Sequence, residues 1–130
     1  METMEIFACI ANSTITHIDR DDDAGQIEWN EHPKFKGVYL KHLVRGLATD
    51  GRLSCHLVRI DPNSVLDEHV HENQLELHEV IEGEGSFILA DKETAYHPGR
   101  MGIIPQGVRH KVIAGKSGLV LLAKFCPALL

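Results

Sequence analysis

Residues 63–83, NSVLDEHVHENQLELHEVIEG, carry the most informative pattern in this chain. They set His69 and His71 two residues apart, and then Glu76 and His78 two residues apart. On an extended strand, residues with this spacing point to the same face of the sheet. The spacing therefore predicts a pair of imidazoles facing one cavity, with a carboxylate and a third imidazole sharing a face of the next strand.

A second segment, residues 99–110 with the sequence GRMGIIPQGVRH, supplies another histidine. His110 follows the turn residues Pro105 and Gly107 and opens a strand towards Ile113. If the chain folds back, His110 joins the first cluster, although spacing alone does not establish that closure. Three imidazoles and one carboxylate suit manganese, iron, cobalt, nickel or zinc, and the absence of a nearby cysteine disfavours a thiolate zinc site.

Short apolar and β-branched runs alternate with turn signals along most of the chain, which predicts eight to ten strands in an all-β sandwich or barrel. We interpret the glycine pair at residues 83–85 as a hairpin turn and residues 115–118 as another turn. Residues 5–11 are compatible with a further strand. The other predicted strands are Val38–Val44, Leu53–Ile60, Leu75–Ile81, Ser86–Ala90, Met101–Ile104, Lys111–Ala114 and Leu119–Cys126.

The two segments resemble the two motifs of the cupin family. Asn63-x5-His69-x-His71-x4-Glu76-x6-Gly83 is similar to G(X)5HXH(X)3-4E(X)6G, and Gly99-x5-Pro105-x-Gly107-x2-His110 is similar to G(X)5PXG(X)2H(X)3N. Asn63 replaces the opening glycine, and asparagine tolerates a positive φ better than most residues. Ala114 replaces the closing asparagine. Neither position is a metal ligand in the family.

The resemblance implies a double-stranded β-helix, the jelly-roll barrel of cupins. It also implies one divalent transition metal on the positions matching His69, His71, Glu76 and His110, and a homodimer. We expect residues 36–130 to form the barrel and residues 1–35 to form an arm of strand and loop, packed on the barrel or on a dimer partner.

Bulk properties exclude several classes of protein. The 130 residues fit one domain, and the net charge of −6 disfavours nucleic acid and anionic membranes as partners. No apolar run approaches the length of a membrane span, and no basic segment precedes the short apolar run near the start. Three cysteines, an odd number in apolar contexts, fit reduced buried thiols. These features predict a cytoplasmic protein that binds a small molecule.

Other polar residues are candidates for the region around the metal. His78 is a candidate catalytic group, as proton shuttle or substrate donor, although a hydrogen-bonded core histidine is an equally good interpretation. His42, His56 and Arg59 are candidate substrate-binding residues. His56 and Arg59 lie on opposite faces of one strand, and the register that decides which face points inward is not given by the sequence.

The cupin barrel hosts many activities, so the fold does not by itself give the function. The leading hypothesis is an enzyme of oxygenase, isomerase or lyase type that acts on a small oxygen-rich or carboxylate-bearing metabolite bound at the metal. The alternative is a binding or sensing module without turnover. A storage or structural protein with a vacant site is disfavoured because all four ligand types are present.

Overall fold

The computed structural model describes residues 5–130. It contains one short helix, α1 (Ile6–Ala11), and 3-10 turns at Ala24–Gln26 and Gly46–Ala48. The remaining elements of this part of the chain are strands, which confirms the predicted all-β class. They are β1 (Thr14–Thr16), β2 (Asp21–Asp23), β3 (Trp29–Glu31), β4 (Val38–Val44), β5 (Ser54–Ile60), β6 (Val65–His69), β7 (Leu75–Leu89), β8 (Lys92–Tyr96), β9 (Met101–Ile104) and β10 (His110–Cys126).

Eight of the strands form one antiparallel sheet that curls into the jelly-roll barrel. Its hydrogen-bonded order is β3-β4-β5-β10-β7-β8, and β6 pairs with β10 while β9 pairs with β7. The long strands β7 and β10 run beside each other, β10 also pairs with β5 and β6, and β7 also pairs with β8 and β9. Strands β1 and β2 form a separate two-stranded sheet.

Glycines bend the two long strands where the sequence predicts hairpin turns. The turn predicted at residues 83–85 is wrong, because Gly83 and Gly85 lie inside β7 and pair with β10. Gly83 has φ +86°, and a Cβ there would collide with the carbonyl oxygen of Gly118. The turn predicted at 115–118 likewise lies inside β10. Glycine in a strand allows a bulge and a close backbone approach, which turns one strand around the barrel corner.

The barrel interior follows from the period-two pattern of its strands. On β5, Ser54, His56, Val58 and Ile60 face inward, and Leu57 faces a second apolar cluster on the outer side. Each fully buried large aliphatic or aromatic side chain contributes about 1.5–3 kcal/mol. The largest contributors to the interior from the long strands are Val80, Phe87, Val112, Leu119, Leu121 and Phe125.

The N-terminal segment covers the outer face of β4 and β5. The strand expected at residues 5–11 is wrong, because the segment forms α1, whose Phe7, Ile10 and Ala11 lie on one helical face and join the outer cluster. Residues spaced i, i+3 and i+4 share a helical face. The buried Lys41 of β4 donates hydrogen bonds to the carbonyl oxygens of Ala11 (3.0 Å) and Ala24 (2.7 Å). These bonds fasten the segment to the sheet.

Strand β3 belongs to the predicted arm of residues 1–35, yet it pairs with β4 in the main sheet. The contribution of the arm to a dimer stays a prediction. All three cysteines are free thiols, but Cys9 and Cys126 are exposed, so the expectation of buried thiols is wrong for these two. Among residues 5–130, no helix has the length and apolar character needed to cross a membrane.

Candidate metal centre

Three imidazoles converge where β6 and β10 meet. His69 is the last residue of β6, His110 is the first residue of β10, and the two are register partners. His71 lies two residues beyond the end of β6, rather than on the strand as the spacing predicted. The nitrogen atoms that the three side chains offer lie within 4.8 Å of one another. The group can therefore hold a metal ion.

Backbone carbonyls fix the orientation of two of these rings. The Nδ1 of His69 lies 2.7 Å from the carbonyl oxygen of Asp67, and the Nδ1 of His110 lies 3.0 Å from that of Val108. A carbonyl oxygen only accepts, so both Nδ1 atoms carry the proton and both Nε2 atoms keep a free lone pair. Burial lowers the pKa of His69 to about 4, which keeps this ring neutral at pH 7. Metal-binding histidines have this arrangement.

Glu76 lies beside the three imidazoles with its two oxygens used differently. Its Oε1 is 3.3 Å from the Nε2 of His110 and 3.5 Å from the Nε2 of His71, whereas its Oε2 is 2.7 Å from the Nε2 of His78. Burial opposes ionisation of the carboxyl group, but His78, whose Nε2–H donates to Oε2, outweighs it and holds the pKa of Glu76 well below its usual range. The group is a carboxylate that aims one oxygen at the imidazole cluster.

Two buried polar atoms at this point lack a hydrogen-bond partner, namely the Nε2 of His110 and the Oε1 of Glu76. Their 3.3 Å separation does not have hydrogen-bond geometry. Buried polar atoms without partners are uncommon and costly in folded proteins. A divalent cation between them would satisfy both atoms, and three nitrogens with one oxygen form a ligand set that suits first-row transition metals. The residues present therefore fit such an ion.

His78 lies behind Glu76, away from the open side of the site. Its side chain is 1% exposed and contacts the ring of Phe87. The Nε2–H donates to Glu76, and the hydroxyl of Tyr96 lies 3.3 Å from Nδ1. His78 is absent from the lining of the adjacent cavity. The structure therefore places this predicted catalytic residue where it can orient the carboxylate rather than touch a substrate.

A cavity of about 400 Å³ opens beside the centre. His69, His71 and Glu76 line one part of it, and His42 and His56 line another. Both candidate substrate-binding histidines thus face the cavity, a point that the sequence left open. Much of the remaining lining is apolar, and Asn30, Glu31 and His32 are its other polar residues. The apolar lining includes Val38, Leu40, Val58, Leu66, Phe125 and Leu129.

His42 and His56 belong to a hydrogen-bonded chain whose polarity can be assigned. The backbone N–H of Leu129 donates to the Oγ of Ser54 (2.9 Å), and the fully buried Ser54 hydroxyl lies 2.8 Å from the Nε2 of His56. Among the described residues the Nε2 of His56 is the only acceptor within reach of the buried Ser54 hydroxyl proton, so Ser54 donates to His56, whose Nδ1–H then donates to the Nδ1 of His42 (2.8 Å). His42 therefore carries its proton on Nε2.

Arg59, the third candidate substrate-binding residue, does not line this cavity. Its guanidinium stacks on the rings of Tyr39 and Trp29, 4.6 and 4.9 Å from their centroids, on the outer face of the sheet. Ser54 is a polar residue of the site that sequence reasoning missed. Its position two residues before His56, on the same strand face, was the available signal.

Residues 56–123 match the model of the Cupin domain family, a span of more than half of this chain. The chain belongs to the cupin family. The match covers the whole cluster from His69 to His110. Asn63, which replaces the first glycine of the cupin motif, adopts φ +61°, so the expectation that asparagine serves there is confirmed. A search among curated proteins finds no matching relative.

Solved structures of cupins share this barrel at low sequence identity. A predicted oxalate decarboxylase from Thermotoga maritima is 22% identical with a TM-score of 0.73, over 79% of this chain and 95% of that one. An RmlC-like cupin from Shewanella frigidimarina is 20% identical with a TM-score of 0.72, over 89% and 95%. KdgF from Halomonas sp. is 20% identical with a TM-score of 0.69, over 79% and 88%. These likenesses support the fold.

Proposed function

We propose that this cupin is a metal-dependent enzyme that holds one divalent transition metal on His69, His71, His110 and Glu76. The observation that carries the proposal is the buried pair formed by the Nε2 of His110 and the Oε1 of Glu76, both without hydrogen-bond partners at the focus of three imidazoles. Manganese, iron, nickel, cobalt and zinc all accept such ligands.

When bound, the metal supplies a Lewis acid or a site for oxygen activation, the chemistry of oxygenases, isomerases and lyases of this type. The chain itself supplies the surroundings. His78 fixes the carboxylate of Glu76 through its hydrogen bond, and the cavity holds a small molecule against the open side of His69 and His71. His42, in another part of the cavity lining, offers its Nε2–H as a hydrogen-bond donor. These groups bind and orient an oxygen-bearing substrate.

Metal content tests the proposal directly. The protein is purified without a metal-affinity tag, and its elemental composition is compared with that of His71→Ala. We expect about one equivalent of a divalent transition metal in the wild type and a loss of at least ~100-fold in metal affinity in the variant, because one of four ligands is gone. His71 lies outside the strands, so the substitution leaves the barrel intact.

The control is His97→Ala, which removes an exposed histidine outside the imidazole cluster and outside the cavity lining. It should keep the wild-type metal content. A wild type that binds no metal after reconstitution would contradict the proposal, and metal binding without turnover of any chelating substrate would favour a binding or sensing module. A homodimer and a cytoplasmic location stay predictions.

A further inference from the structure

The cavity beside the proposed metal centre has acidic side chains in its lining but no cationic ones. Its only lining side chains with a formal charge at neutral pH, within the part of the chain that the structure describes, are the acidic Glu31 and Glu76. Lysine and arginine are absent from this lining. The cations on the neighbouring strands are used elsewhere, Lys41 on backbone carbonyls and Arg59 on aromatic rings of the outer face. A carboxylate placed in the cavity would find no cationic side chain.

The two imidazoles across the cavity do not supply positive charge either. Burial, helped by the charge of Arg45, lowers the pKa of His42, and burial lowers the pKa of His56 to about 4. Both rings are thus neutral at pH 7, in agreement with the direction of their hydrogen bonds. The pair offers a neutral N–H donor, which suits a carbonyl or hydroxyl oxygen.

Most of the remaining wall is apolar, and its other polar residues are Asn30, Glu31 and His32. Its apolar side chains include Val38, Leu40, Val58, Leu66, Phe125 and Leu129, and the ring of Phe125 contacts both His71 and His56. An apolar ring or alkyl group buried there gains affinity in proportion to the area removed from water. A second charged group buried there would lose its hydration without compensation.

The charge of the centre itself sets the preferred charge of the ligand head. A divalent cation with the Glu76 carboxylate and three neutral imidazoles has a net charge of +1. A chelator that binds through two oxygens as a monoanion neutralises this charge. A dianion leaves one negative charge in a cavity whose other charged residue, Glu31, is also negative.

We propose that the cavity selects a monoanionic oxygen chelator with an apolar body and excludes dicarboxylates and other multiply charged acids. The inference rests on the proposed function, since the metal anchors the chelating head. It narrows the oxygen-rich or carboxylate-bearing metabolite expected from the sequence to the class of enolisable carbonyl compounds, hydroxyketones and similar chelators that carry a ring or alkyl chain.

Three hydroxamates with the same metal-binding head separate the effect of an apolar body on affinity from the effect of a second negative charge. Acetohydroxamate carries a methyl group, benzohydroxamate an apolar ring, and 4-carboxybenzohydroxamate the same ring with a second negative charge. Their affinities for the Zn²⁺-loaded protein are measured by calorimetry. We expect benzohydroxamate to bind roughly tenfold or more tighter than each of the others, because only it fills the wall without burying a charge.

Two lysine variants, one in the cavity lining and one on the surface, test whether a cation in the cavity reverses the preference. Leu129→Lys puts a cation on the lining at a partly buried position, and Ile103→Lys puts the same cation on the exposed edge strand β9. Leu129→Lys should tighten 4-carboxybenzohydroxamate about tenfold relative to benzohydroxamate, and Ile103→Lys should leave the ratio unchanged. The ratio compares two ligands on one protein, so a partial loss of folded protein does not imitate the effect.

The outcomes separate this inference from the proposed function. If the wild type binds Zn²⁺ but prefers 4-carboxybenzohydroxamate or acetohydroxamate, the inference is wrong and the metal site stands. If neither Zn²⁺ nor any other first-row divalent metal binds, the proposed function fails, and the inference that depends on it fails too.

Discussion

Two buried histidines occupy equivalent places on either side of β10. Ala123 of β10 pairs with His56 of β5 on one side and with His78 of β7 on the other. Both side chains are 1% exposed, and both use each ring nitrogen in a hydrogen bond. They differ in the group to which the ring donates its hydrogen bond. His78 donates to the carboxylate of Glu76, whereas His56 donates to the imidazole of His42.

This difference shows how the partner of a buried histidine sets its role. Through Glu76, His78 holds an oxygen against the three converging imidazoles, where it would orient a ligand of the proposed metal. Through His42, His56 holds a neutral donor against the cavity wall, and neither of its nitrogens is free for a metal. Histidine number alone therefore does not define a metal site, since hydrogen bonds decide which nitrogen lone pairs remain available.

The largest expected effect comes from breaking the His78 side of the comparison. In His78→Phe the buried Oε2 of Glu76 loses its N–H donor, and the carboxylate is no longer held in place. We expect metal affinity to fall by about 10–100-fold, the usual consequence of losing a group that orients a ligand. Competition between the protein and a colorimetric chelator for Zn²⁺ measures the change.

Two controls separate orientation of Glu76 from general destabilisation. His78→Gln keeps an N–H donor near the position of Nε2 and should recover part of the affinity, although its stability is also lowered. His56→Gln alters the equivalent buried histidine and should leave Zn²⁺ affinity within a few-fold of wild type. Equal losses of affinity in His78→Phe and His56→Gln would mean that the two histidines do not differ in role.

The His56 side should be visible instead in the pH dependence of stability. The pKa of His56 is about 4 in the folded protein and about 6.5 in an unfolded chain. Because the unfolded state binds more protons between these values, the contribution of His56 is fully present above about pH 6.5 and is lost as the pH falls towards 4. Between pH 7 and about pH 5.5 the loss is about 1 kcal/mol.

Glutamine does not titrate, so between pH 7 and about pH 5.5 the free energy of unfolding should decrease by about 1 kcal/mol less in His56→Gln than in the wild type. Urea denaturation at several pH values, with a chelator present to remove metal, measures the slope. Removal of the exposed His97 provides the reference and should leave the slope as in the wild type. A slope in His56→Gln as steep as in the wild type would show that His56 is not kept neutral by the fold.

The candidate ligands of the proposed metal could be named from the sequence because their information is local. His69 and His71, and likewise Pro105, Gly107 and His110, stand at short fixed distances that one turn or strand end imposes. The family resemblance then supplied the closure between the two segments, which spacing did not. The all-β class followed in the same way from alternation and turn residues.

Two features of the fold could not be predicted from the sequence, namely which face of β5 points inward and whether the glycines at 83 and 85 end a strand or bend it. Period-two alternation marks two faces of a strand but not which one is inside, so His56 and Arg59 were equivalent candidates until the curled sheet placed His56 in the cavity lining and Arg59 against Trp29 outside. Gly83 and Gly85 look the same in sequence whether they end a strand or bend it. Only the opposing β10 backbone, which leaves no room for a Cβ, decides between the two.

The smallest effect that should still distinguish the two sides comes from the outer end of the His78 chain. Tyr96→Phe removes the hydroxyl that lies 3.3 Å from the Nδ1 of His78 but leaves the bond from Nε2 to Glu76 in place. Burial, and then the charge of Glu76, raises the pKa of Tyr96, so this hydroxyl is a proton donor at all ordinary pH values. Without it, the tautomer with the proton on Nε2 loses one of its two supports. We expect Zn²⁺ affinity to fall only about threefold, in line with one long neutral hydrogen bond.

In a His78→Phe background the same substitution should change nothing further, because residues acting in one hydrogen-bonded chain are not additive. A full threefold loss in both backgrounds would show that Tyr96 acts on the centre by a route other than His78.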